Sequence, residues 1–169
     1  MFDDIDLLRK KQHGLNLIET VLVIAIVAIL CTIAIPHLTH FIVNRDLKNA
    51  ARDIVGDIFE IKHRALSENT KYRMKFDSVM NNYEIWRCGN SGPICNNYSD
   101  LIVSKSPSSF KRDITIHDVA FGGSPGHTST FQTRGTATPG HIILKNGLES
   151  TATIKVNISG RTYVDWKLR

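Results

Sequence analysis

The sequence predicts an α+β chain in which a long N-terminal helix, apolar in its first half and amphipathic in its second, packs on an antiparallel β-sheet or small β-sandwich head. Three observations carry this. Val21 to Ile35 is fifteen consecutive residues without a charge. From Leu38 to Leu66 apolar residues recur at spacings of three and four, the period of a helix with one buried stripe. From Lys71 onward the period becomes two, in short runs separated by Gly, Pro, Ser and Asn, which is the pattern of strands and turns. At 169 residues, 42% of them hydrophobic, the chain has room for one such domain and one membrane segment.

The apolar run comes first. Counted from Leu15 it is twenty-one residues long, and as a helix it would span about 31 Å, enough for a bilayer core. That count includes Asn16 and Glu19. Arg9, Lys10 and Lys11 precede it, so a secretory signal peptide is one reading. Against it, the best small-x-small site is Thr32 to Ala34, and the run exceeds the usual apolar core of such signals. Cys31 follows Leu30 rather than a small residue, so it reads as apolar filler, not a lipid-bearing cysteine.

Glu19 discriminates between the readings. A carboxylate well inside a membrane helix costs about 3 kcal/mol on insertion scales, and less near an end, so it persists where it has a partner or a task. Cleavage after Gly14 would leave the amine of Leu15 one helical turn from Glu19, and an equivalent amine on a packed neighbour could lie as close. Such a pair at ~4 Å is worth about 4 kcal/mol at an intermediate dielectric and offsets the burial cost.

These residues resemble a known signal. A basic leader ending in Gly14, then "LNLIE" with Glu19 in the fifth position and an apolar run behind it, is similar to the class III signal of type IV pilins and type II secretion pseudopilins. The resemblance implies cleavage between Gly14 and Leu15 by a prepilin peptidase, and methylation of the new N-terminus. It further implies assembly with other pilins or pseudopilins through the helix, and an inner-membrane location with the N-terminus cytoplasmic and the head periplasmic. Pro36 stands where many type IV pilins carry a helix-loosening proline. Leu15, Asn16 and Thr20 depart from the residues usual at their positions. The expected divisions are residues 1–14 as the cleaved leader, 15–36 as the transmembrane and assembly helix, 37–69 as its amphipathic continuation, and 70–169 as the β-rich head.

In the continuation, Leu38, Phe41, Ile42, Leu47, Ala50, Ala51, Ile54, Val55, Ile58, Ile61, Ala65 and Leu66 form the apolar face. Arg45, Lys48, Arg52, Asp53, Asp57 and Lys62 take the other. Pro36 and Gly56 are expected weak points, and Ser67 to Thr70 ends the helix. Six strand candidates follow: "YRMKF", "YEIW", "ITIHDV", "HIILK", "TATIKVNI" and "RTYVDW". Phe121 to Thr138, rich in Gly, Ser and Thr, reads as loop. The helix text "RDLKNAARDIVGDIFEIKHRALSENTKYRM" and the ending "FQTRGTATPGHIILKNG" with "ATIKVNISGRTYV" resemble the GspH/FimT-type minor pilins, with a Gly-Arg turn at Gly160 and Arg161.

Cys88 and Cys95 flank "GNSGPI". In the oxidising periplasm that the resemblance implies, a bridge between them is permitted and would be worth about 2 to 3 kcal/mol. Two unbridged thiols or half a metal site are the alternatives, although no second Cys pair or spaced His pair completes zinc ligation. No catalytic constellation or cofactor motif is evident. His37 and His40 lie just past the apolar run, His117 and His141 sit in strand candidates, and "FGGSPG" lacks the strand-loop-helix context of a phosphate loop. The expectation is a structural subunit, not an enzyme, with no cofactor.

The charge balance is +5, from 21 Lys and Arg against 16 Asp and Glu, moderately basic and compatible with an anionic partner. FimT-like relatives include DNA-binding subunits, which makes Arg161, Lys167, Arg169, Arg134, Lys145 and Lys155 candidate DNA contacts here. Tyr163 stands where a second motif Arg is expected. Six phosphate contacts would give a log–log salt slope of about −5. The alternative is a basic edge strand that deters edge pairing.

Overall fold

The computed structural model describes residues 16–89, 95, 97–107, 113–122 and 126–169, with residues 34–37 described by their backbone alone. The leader, Gly14 and Leu15 lie outside the described residues, as do Gly123 to Pro125 of "FGGSPG". The chain divides into two compact units, one up to Thr39 and one from His40 onward. Helix α1, Leu17–Ser67, contributes to both.

In the first unit, every described side chain from Asn16 to Ile33 is exposed. No single helix among the described residues is long and apolar enough by itself to cross a membrane. The boundary between the units falls three residues after Pro36, whose missing N–H removes an intrahelical hydrogen bond.

The second unit has its own core. Leu47, Ala50, Ala51, Ile54, Ile58, Ile61 and Ala65 of α1 are no more than 2% exposed and form one stripe. Eight strands cover it: β1 (Tyr72–Asp77), β2 (Asn82–Cys88), β3 (Tyr98–Lys105), β4 (Thr115–Phe121), β5 (Thr128–Phe131), β6 (Gly140–Lys145), β7 (Thr151–Val156) and β8 (Thr162–Lys167). They form two antiparallel four-stranded sheets, ordered β3-β2-β1-β5 and β4-β6-β7-β8. Alternation sends Tyr72, Met74, Phe76, Tyr83 and Ile85 of the first sheet inward, with Ile142, Leu144, Ala152, Ile154 and Val156 of the second. The sheets meet at β5 and β4, where Phe76 N–H donates to His127 O at 2.8 Å and Phe121 N–H to Gly126 O at 2.8 Å. The rings of Phe76 and Phe121 stack there with centroids 5.7 Å apart.

All six expected strands form, and two more appear. β5 lies inside the stretch read as loop. Its "TSTF" has no apolar residue before Phe131, yet it fills the gap beside β1, with Tyr72 opposite Phe131. β3 contains "LIV" without alternation because it is an edge strand, exposed over most of its length. Gly56 does not interrupt α1, and a Cβ there would meet nothing within 4 Å.

Asp57 corrects the assignment of helix faces. It is 7% exposed and belongs to the core side of α1, whereas Phe41, assigned to the apolar face, is 65% exposed. At the other end of the stripe, Leu66 packs near Gly135 but keeps much of its side chain in solvent.

Two hairpins shape the second sheet, and each closes with a five-residue loop. In the β7–β8 loop, Asn157 N–H donates to Arg161 O at 3.0 Å and Gly160 N–H to Asn157 O at 2.9 Å. Gly160 has φ +65°, and a Cβ would meet Gly135 O at 3.1 Å, so this position of the Gly-Arg turn needs glycine. The β6–β7 loop repeats the pattern from Asn146 to Ser150, but places Glu149 at φ 64° where glycine would fit better.

Candidate assembly segment and head surfaces

Asn16 immediately precedes the first helical residue, and its carbonyl accepts from Glu19 N–H at 2.9 Å and Thr20 N–H at 3.1 Å. Glu19 therefore occupies the third helical position, within the first turn. A carboxylate there interacts favourably with the exposed N–H groups of the helix start, by about 0.3–1 kcal/mol. Sequence reasoning missed this second role for Glu19, although the Asn-x-x-Glu spacing signals it. Beyond Glu19 the helix presents Leu22, Ile26, Ile29 and Ile33 to solvent, with Cys31 also exposed. Pro36 lies within the helical backbone.

Cys88 at the end of β2 and Cys95 are joined by a disulfide, with Cα atoms 6.0 Å apart. Beside it, Gly89 N–H donates to Asn97 O at 3.2 Å, and the bridge returns the chain toward β3.

The candidate cations occupy two ends of the second sheet. Arg134, exposed, lies in the turn that abuts the β7–β8 hairpin through Gly135 and Gly160, and exposed Arg161 leaves that hairpin. Lys145 and Lys167 flank Thr151 in register at the other end, with Arg169 beyond. Arg161 and Lys167 stand six residues apart along β8, about 20 Å. Two of the six cations are neutralised locally: Lys145 Nζ lies 2.7 Å from Glu149 Oε2 and Lys155 Nζ 2.6 Å from Asp165 Oδ2. Lys145 holds the Glu149 carboxyl below its usual range, chiefly through their hydrogen bond. On the same sheet, His141 Nε2 is 3.3 Å from Asp118 Oδ2.

A part-buried polar cluster ties α1 to the first sheet. Lys105 Nζ at the end of β3 donates to Asp57 Oδ1 and Oδ2 at 2.8 and 2.9 Å, and Tyr83 OH donates to Asp57 Oδ2 at 2.7 Å. Burial, then the hydrogen bond to Asp57, pushes the Tyr83 phenol up. The same carboxylate raises Lys105. At the end of α1, Tyr72 OH donates to Glu68 Oε2 at 2.6 Å, and burial followed by that bond pushes Tyr72 up to about 12. Asp57 lies three residues after Ile54 and four before Ile61, in phase with the stripe, but its partners come from distant strands, so nothing in the sequence marks a carboxylate there for burial.

A helix that packs its second half on two antiparallel sheets is the pilin-like fold. No protein-family model matches the chain, and no curated protein is matched by its sequence. Solved structures that share the fold include two minor subunits. The minor pseudopilin EpsH from the type 2 secretion system of Vibrio cholerae matches over 72% of this chain and 97% of that one, with a TM-score of 0.53 and 10% identity. The type IV minor pilin FimU of Pseudomonas aeruginosa PAO1 matches over 72% of this chain and 90% of that one, with a TM-score of 0.53 and 13% identity.

Proposed function

We propose that this chain is a minor pilin-like structural subunit of a type IV pilus assembly, acting in a tip or priming complex, without catalytic activity. The observation that carries this reading is the head, whose fold is that of EpsH and FimU, together with an apolar helical run whose described side chains are exposed. A prepilin peptidase removes residues 1–14, and residues 15–36 insert in the inner membrane with the head periplasmic. Leu15 is methylated. Other pilins pack on the exposed helix, where Glu19 meets an N-terminal amine and fixes the register.

A minor pseudopilin of a type II secretion system is the second reading, favoured by the EpsH likeness. Pro36 supports the pilus reading. With Lys145 and Lys155 already paired, a DNA-binding role would rest on exposed Arg134 and Arg161 near the β7–β8 hairpin and on exposed Lys167 and Arg169 at the other end of the sheet. Co-purification tests assembly: Glu19→Ala should be processed yet fail to bring down other pilins from membranes, and undiminished recovery would count against the pairing. For DNA, mobility shifts of the head at two salt concentrations would decide, with no shift at low salt removing that role.

A further inference from the structure

We propose that the end of the head where α1 enters is a collar that seats in the headgroup layer of the membrane, a reading that rests on residues 15–36 being the membrane segment. Two parts of the chain meet at this end. Asn44 Nδ2 donates to Arg169 O at 2.9 Å, and Arg169 N–H donates to Ser150 Oγ at 2.9 Å. Asn146 Nδ2 donates to Asn44 Oδ1 at 3.1 Å. The last residues are therefore pinned beside the first turns of α1 in this unit.

Around these polar contacts the end of the head exposes apolar and cationic side chains. Phe41 and Ile42 stand one turn or less before Asn44, and Trp166 and Leu168 just before Arg169; they are 65%, 37%, 38% and 41% exposed. Arg45, Lys167 and Arg169 are exposed beside them. Of the nearby acids, Glu149 is held by Lys145 and Asp46 has a partner of its own. Tryptophan and phenylalanine with interspersed cations match an interface that is apolar on one side and carries phosphate on the other.

Chain length selects lipid as the occupant. Phe41 comes six positions after Ile35, the end of the uncharged run, a reach of at most about 9 Å along a helix. Each headgroup layer is about 5–7 Å deep, since a core of about 30 Å grows to about 40–45 Å with both layers included, so the collar reaches its outer edge. A protein partner would need no such spacing.

The full chain carries two tryptophans, which makes a direct test available. With Trp86→Phe, Trp166 is the only indole, and the chain is placed singly in phosphatidylethanolamine–phosphatidylglycerol nanodiscs containing lipid spin-labelled at the headgroup. Trp166 should lose most of its emission relative to unlabelled discs. In the reciprocal chain, Trp166→Phe, the remaining Trp86 should lose little. Its neighbour Arg87 lies 3.4 Å from Glu68, twenty-four residues beyond Asn44, or about 36 Å along α1. A chain that enters discs with Trp166 unquenched would overturn the collar alone. Failure to enter discs would overturn the membrane segment and the collar with it. Emission that changes with two copies per disc, but not with labelled lipid, would assign this surface to a second copy and overturn the lipid proposal.

Discussion

Asp57 is the residue on which the head's polar interior turns. It accepts from Lys105 and Tyr83, and deleting the acceptor strands both donors. Asp57→Ala should cost about 2–3 kcal/mol in a denaturant titration of the head. Lys105→Met should cost less, because Lys105 is 38% exposed and partly screened. The phenols set a pH limit. Tyr72 and Tyr83 have folded values raised above the unfolded value near 10, as does Lys105 above 10.5. Their stabilisation is thus complete at lower pH and lost as pH rises from about 10 through the folded values. Thermal melts should be level in this respect from neutral pH to about 10 and fall above it, with Tyr83→Phe reducing the fall. Glu149 offers the opposite kind of change. Its φ of 64° is strained for a residue with a Cβ, so Glu149→Gly should raise stability by up to about 1 kcal/mol despite loss of the Lys145 pair; a lower melting temperature would contradict this.

At the scale of elements, what the sequence revealed depended on whether the signal was local. The stripe from Leu47 to Ala65 and the strands with clean alternation were legible, because one buried face repeats every third or fourth residue, or every second. β3 and β5 were not, since an edge strand and a Ser/Thr strand are defined by the neighbours that pair with them. Asp57 was misplaced because it is charged, although its spacing is that of the stripe; its burial depends on Tyr83 and Lys105 from other strands. Glu19 was recognised as meaningful from its apolar surroundings, while its place in the first turn required the observed helix start. The Cys88–Cys95 bridge was legible as a spacing with alternatives, and it is present. Replacing both cysteines with serine should cost about 2–3 kcal/mol, read by denaturation under oxidising conditions. Ile58→Ala, in the middle of the stripe at 1% exposure, should cost about 2–5 kcal/mol through the cavity it leaves.

For the whole molecule, the division of labour follows from burial. The second unit satisfies its apolar stripe internally, against two sheets. The first exposes, among its described residues, an apolar helix with Glu19 in its opening turn. On the proposed reading, lipid and then like helices cover that run, in insertion followed by assembly. Everything in that account depends on where the mature chain begins, because an N-terminal amine close to Glu19 exists only after removal of the leader. The decisive measurement is the intact mass and N-terminal sequence of the chain recovered from membranes of cells that contain a prepilin peptidase. The account predicts a start at Leu15 bearing one methyl group, and retention of the full precursor when Gly14 is replaced. A chain beginning at Met1, or one cut behind the apolar run near Ala34, would contradict it.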